Sequence, residues 1–255
     1  MKAGQTHWTR DELILAINLY IKLPFGKLDS RNAFVQELAA IIGRTPNAVA
    51  LKLVNFASLD PSLQARGIKG MSNASEIDKK MWNEFYPNWD SKFLESEAEL
   101  AKQRHMTLEQ MYQDDYKIDL EGKDEIKSVR VRLNQAIFRR IVLANYDSTC
   151  CITGIDNPQL LVASHIVPWS QDTSNRLNPK NGLLLNPLHD RAFELGLITI
   201  DENYKVKVSS VFKTKKVARG IRETILQYDG KVIDLPKKFL PDLNFLRRHR
   251  ERFTL

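Results

Sequence analysis

Apolar residues at Leu13, Ile14, Ile17, Leu19 and Tyr20 follow the stretch Thr9-Arg10-Asp11-Glu12. A hydroxyl residue with a glutamate three places later satisfies two free amides at a helix start, so a helix is expected from there to near Pro24. A second helix is expected over about 32–42, stopped by Gly43. Thr45-Pro46 then supplies an N-cap and a proline at the first helical position for a third helix through "NAVALKLVNFA". From Ser75 to Arg104 the pattern predicts two helices, one carrying Met81, Trp82 and Phe85 and one acidic along "DSKFLESEAEL", separated by Pro87. "QDDYKIDLEGKDE" has no consistent period and reads as a linker. "RVRLNQAIFRRIVLANY" restores helical spacing through Leu133, Ile137, Ile141 and Val142. After "CCITGI" the apolar run "QLLVASHIVPW" predicts a strand, and a polar loop leads to a second strand in "NGLLLNPL" and a helix opening near His189.

Composition narrows the class. The 255 residues are 43% hydrophobic and 27% charged, an ordinary globular balance. The start "MKAGQTHW" has no apolar segment behind a basic one, and no run is long enough to span a bilayer. A cytoplasmic location without a membrane partner is expected. Cys150 and Cys151 are adjacent, which excludes a disulfide framework and a four-cysteine zinc site.

The net charge of +7 is unevenly placed. Residues 1–72 carry 9 Lys/Arg against 5 Asp/Glu, 73–128 carry 8 against 14, and 129–255 carry 21 against 12. Two basic modules flanking an acidic one suit a polyanionic partner, although a basic total also serves plain solubility.

Trp8 and the stretch Gly43 to Val49, "GRTPNAV", resemble Myb/SANT-like three-helix domains, and the short "GRT" connection is that of a helix-turn-helix. On the third helix Val49, Leu53 and Phe56 form the expected core face. Asn47, Leu51, Val54 and Asn55 fall opposite, where the asparagines could read adenine edges or the whole face could be packed. Residues assigned to DNA contact are Asn47, Lys52 and Asn55 here, with Arg139, Arg140, Arg176 and Lys180 further on. Arg139 and Arg140 read equally well as solvated residues of an amphipathic helix.

The order of strand ending in "SHIVPW", polar loop, "NGLLL" strand and histidine-bearing helix resembles the HNH endonucleases of the ββα-metal fold, in the subgroup with "SHI-P-W" and "NGL-L" motifs. The resemblance covers about 129–255 and includes "KVIDLPKKFLPDLNFLRRHRERF". It implies that His165 is the general base, that Asn181 fixes the loop and the base, and that His189 ligates a divalent metal, Mg²⁺ or Mn²⁺. Many such enzymes have an aspartate before the base histidine, and here that residue is Ser164; Asp190 is a further candidate ligand. The CxxC pairs that hold structural zinc in several members are absent, so no structural zinc is expected. Either histidine alone would read as a core or helix-end residue.

The expected class is α+β. An N-terminal all-α helix-turn-helix-like domain (1–105) precedes a helical, acidic linker (106–128) and a C-terminal ββα-metal nuclease domain (129–255). The expected function is metal-dependent hydrolysis of double-stranded DNA. It implies a bacterial restriction or defence enzyme, with modified cytosine as one target and a homodimer as the simplest route to a double-strand break. The alternatives are a non-catalytic DNA-binding regulator on an HNH scaffold, and an effector nuclease whose N-terminal domain senses another signal.

Overall fold

The helix expected after Thr9 runs as α1, Arg10–Lys22, and its capping box is formed: Thr9 accepts from the Glu12 amide while Glu12 accepts from the Thr9 amide. Leu23-Pro24 ends it. The computed structural model describes residues 7–68, 74–113, 125–212 and 217–253, with the backbone alone for 125–130. Most of "QDDYKIDLEGKDE" lies outside the described residues. The chain divides into two units at Ile137 and Phe138. That division falls within a helix, C-terminal to the start at 129 expected from sequence.

In the first unit α2, Ala33–Ile41, is capped by Asn32 and followed by Gly43 at φ +66°, a left-handed turn that glycine tolerates. The third helix, α3 (Pro46–Leu59), starts on Thr45 as expected. Then come α4 (Pro61–Ala65), α5 (Glu76–Phe85), α6 (Trp89–Gln103) and α7 (Leu108–Tyr112). α7 lies in the stretch read from sequence as linker. α1 packs against α2, α3, α5 and α6. Tyr20, Phe56 and Trp82 meet in the core, with the Tyr20 and Trp82 ring centres 5.9 Å apart. Buried charge is paired: Glu97 takes Lys22 and the Asn18 amide, and Asp78 takes Lys52 at 2.6 Å.

Helix α8 spans Glu125–Asn145, starting earlier than its apolar stripe suggested. In the second unit β1 (Val162–His165) pairs antiparallel with β2 (Gly182–Leu185), His165 standing opposite Gly182. The long apolar run therefore supplies only four strand residues; its start is a 3₁₀ turn at Pro158–Leu160. Helix α9, Pro187–Glu194, packs on both strands and completes a ββα unit. A hairpin not anticipated from sequence follows, β3 (Ile198–Ile200) with β4 (Val206–Val208). The unit ends with α10 (Arg219–Thr224) and α11 (Leu243–Glu251). Helices with two small antiparallel sheets make the α+β class. No helix among the described residues is long and apolar enough to cross a membrane.

Candidate active site

The site is built where β2 comes close to α8. A Cβ on Gly182 would lie 2.6 Å from Val142 Cγ2 and 3.0 Å from Phe138 Cζ, so a glycine is required there. Phe138 fills the space it leaves and stacks on the ring of His165, with centroids 3.7 Å apart and planes 15° from parallel. Trp169 meets the same imidazole edge-on at 5.5 Å. His165 Nε2 lies 2.9 Å from the carbonyl oxygen of Arg176. A carbonyl only accepts, so Nε2 carries the proton and the lone pair of the neutral ring sits on Nδ1. Burial lowers the pKa of His165 to about 4, the Arg176 carbonyl bond opposing and the Arg176 charge adding to it. The ring is neutral at ordinary pH, as a proton acceptor must be.

Asn181 closes the loop that begins after His165. Its Oδ1 accepts from the Val167 amide at 2.8 Å, and its Nδ2 donates to the Val167 and Asn175 carbonyls at 3.1 and 3.2 Å. The Ile166 amide donates to the Asn181 carbonyl at 2.9 Å. Asn181, 1% exposed, ties both ends of the loop together.

His189 lies in the first turn of α9, as expected. Asn186, the N-cap of α9, accepts from the His189 amide through Oδ1 at 2.9 Å. That orients its Nδ2 toward His189 Nδ1, also at 2.9 Å, while His189 Nε2 donates to the Thr224 carbonyl at 2.8 Å. Both ring nitrogens are engaged by protein, and a metal at either would displace a hydrogen bond. The ring ties α9 to α10, and burial lowers its pKa against the Thr224 bond. Ser164 and Asp190, the other two candidate ligands, are brought together, the Ser164 hydroxyl donating to the Asp190 carboxylate. Burial raises the pKa of Asp190 and this hydrogen bond opposes it.

This donor set bears on the implied divalent ion. Among the described residues no three His, Cys, Asp or Glu side chains converge. A hard ion such as Mg²⁺ is commonly held by one or two carboxylates, with water and substrate phosphate completing its shell. Asp190 with Ser164 fits such a substrate-completed ion, while a metal on His189 would have to replace its bond to Asn186 or Thr224.

The basic residues divide into structural and surface groups. Arg139 donates to the Leu161 and Pro158 carbonyls, both at 2.6 Å, and so braces the turn before β1. Arg176 Nε donates to the Trp169 carbonyl at 3.2 Å, with its guanidinium over the Trp169 ring. Arg140 and Lys180 are half-buried. In the first unit Asn47 is exposed, but Lys52 pairs with Asp78 and Asn55 is buried, with Oδ1 lacking a partner among the described residues. The Lys52 pair joins α3 to α5, while Leu51 on the expected reading face stays exposed. Beside them is a cleft of about 890 Å³ lined by Trp8, Arg44, Leu51, Lys52 and Asn55 among others. Cys150 and Cys151 are buried free thiols.

Sequence reading missed Asn186, Phe138 and the Arg176 carbonyl. The Asn-Pro pair before α9 was the available signal for Asn186. Among known families, residues 150–201 match the one described as HNH endonuclease. No curated protein matches the chain. The matched residues contain both strands of the ββα unit, its helix, and His165, Asn181 and Asp190, so it is this segment that is similar to the HNH endonucleases.

Proposed function

We propose that the protein is a metal-dependent endonuclease that hydrolyses phosphodiester bonds of double-stranded DNA, with His165 as general base. One observation carries this reading: the imidazole is held neutral with its Nε2 proton committed to the Arg176 carbonyl, which leaves the ring's lone pair on Nδ1. A water at Nδ1 gives up its proton as its oxygen bonds to phosphorus, and the bond to the departing sugar oxygen breaks. Asn181 keeps the base in place during that transfer. A bound Mg²⁺ or Mn²⁺, held by Asp190 and Ser164, would supply positive charge for the phosphate and leaving oxygen.

The finer reading is a bacterial restriction or defence enzyme, with modified cytosine as one target and two chains acting as a dimer to cut both strands. Exposed Asn47, with Arg140, Arg176 and Lys180, would contact the duplex. An N-terminal unit that senses a non-DNA ligand is the second reading, favoured by the Trp8–Arg44–Lys52 cleft. Incubating the full chain with methylated and unmethylated plasmid, in Mg²⁺ or Mn²⁺ and with chelator, tests the function. Nicks or breaks that need the ion support it, and intact plasmid under every condition contradicts it.

A further inference from the structure

The loop between β1 and β2 carries the Arg176 carbonyl that holds the base, yet its middle, about 170–177, contains only a 3₁₀ turn and coil. No strand ladder fixes that carbonyl. A chain of polar contacts does, and it begins outside the matched 150–201 segment.

Arg248 on α11 donates through Nη1 to Asp172 Oδ2 at 2.7 Å. Asp172 Oδ1 accepts from Asn175 Nδ2 at 2.9 Å, and Asn175 Oδ1 accepts from Asn178 Nδ2 at 2.8 Å. The backbone carbonyl of Asn175 takes the Asn181 amide, and the next carbonyl, that of Arg176, takes His165 Nε2. α11 is itself a firm support: Leu246 is buried, and His249 donates to the Phe193 carbonyl at 2.9 Å while stacking on the Phe193 ring. The Asp242 amide at its start donates to the Lys180 carbonyl at 3.0 Å.

We propose that the Arg248–Asp172 pair is a latch by which α11 positions the general base, so that Arg248 and Asp172 are positioning residues of the nuclease site. This rests on the reading of His165 as base. The Arg248 side chain is 40% exposed and that of Asp172 14%, so the pair adds little to global stability. Its effect is geometric, and misplacing a reacting group by an ångström costs up to about a hundredfold in rate.

The full chain with Arg248→Gln, Arg248→Lys and Asp172→Asn tests the latch by two readouts. Long-range ¹H–¹⁵N spectra of the imidazoles, with the His165 signals assigned by a His165→Gln variant, report the tautomer without any cleavage. Single-turnover nicking of plasmid in Mg²⁺ reports rate and half-saturation separately. The latch predicts that Arg248→Gln and Asp172→Asn move His165 from one Nε2–H tautomer toward a mixture. It also predicts a ten- to hundredfold lower rate, roughly, at unchanged half-saturation, with Arg248→Lys retaining most of both. An unchanged tautomer in Arg248→Gln and Asp172→Asn overturns the proposal. So does a higher half-saturation at unchanged rate, which would make Arg248 a phosphate contact. If Arg248→Gln fails to fold, Arg248→Lys and Asp172→Asn decide by the same readouts. If the wild-type chain does not cut, the nuclease reading fails, and the tautomer alone still decides the latch.

Discussion

The Arg176 carbonyl receives the Nε2 proton of His165 across 2.9 Å, and this one contact decides which nitrogen can act. With Nε2 committed, the lone pair of the neutral ring is on Nδ1. The Phe138 stack and the Trp169 edge then limit the ring to one orientation.

His189 and Asp190 are adjacent but should respond oppositely to substitution. His189→Ala removes the bonds to Asn186 and Thr224 and empties a buried position between α9 and α10, at a cost of about 1–3 kcal/mol in stability. Asp190→Ala should leave stability nearly intact while raising the Mg²⁺ concentration needed for nicking. Thermal melts and metal titrations of nicking check both. A higher metal requirement in His189→Ala at unchanged melting temperature would restore His189 as a ligand.

Arg139→Ala should lower stability by about 1–3 kcal/mol, because two carbonyls of the turn before β1 lose their donor. DNA affinity of the folded variant should keep its salt dependence, since no phosphate contact is lost. Denaturant melts and binding isotherms at several salt concentrations measure the two. A shallower salt slope would place Arg139 on the backbone of the duplex.

His249 makes stability depend on pH. Burial lowers its pKa to about 4, against its Phe193 carbonyl bond and with the charges of Arg252 and Arg250 adding to the effect. The unfolded chain, with an ordinary histidine, binds the proton first as pH falls. The folded state is therefore favoured above the unfolded pKa, and that advantage is lost as pH drops through about 6.5 toward 4. The loss from this residue is roughly 2 kcal/mol between about pH 7.5 and about pH 5. Urea melts should show wild-type protein losing more stability over that interval than His249→Gln. Equal losses would mean that His249 is accessible to protons in the folded state.

Local features were legible in sequence, and partners across the fold were not. Caps at Thr9, Asn32 and Thr45 act within three residues, so their helices could be placed from spacing alone. His165 and Asn181 were recognisable through the resemblance of "SHIVPW" and "NGLLL" to HNH motifs, which flank one loop. The environment of His189 was not, since its second partner, Thr224, lies 35 positions away on α10. Arg139 looked like a surface cation because its carbonyl acceptors sit in a turn that only tertiary packing brings near α8. For the same reason the pairing of Lys52 was not legible: its partner Asp78 sits on α5, and the position of α5 is not a property of α3.

The most direct test of His165 as the base is single-turnover nicking of supercoiled plasmid by wild-type protein and by His165→Ala, in saturating Mg²⁺, with DNA affinity measured in parallel without metal. Loss of a general base costs roughly 10²- to 10⁴-fold, so His165→Ala should cut slower by that factor while binding DNA nearly as well as wild type. A variant that nicks at the wild-type rate would contradict the account.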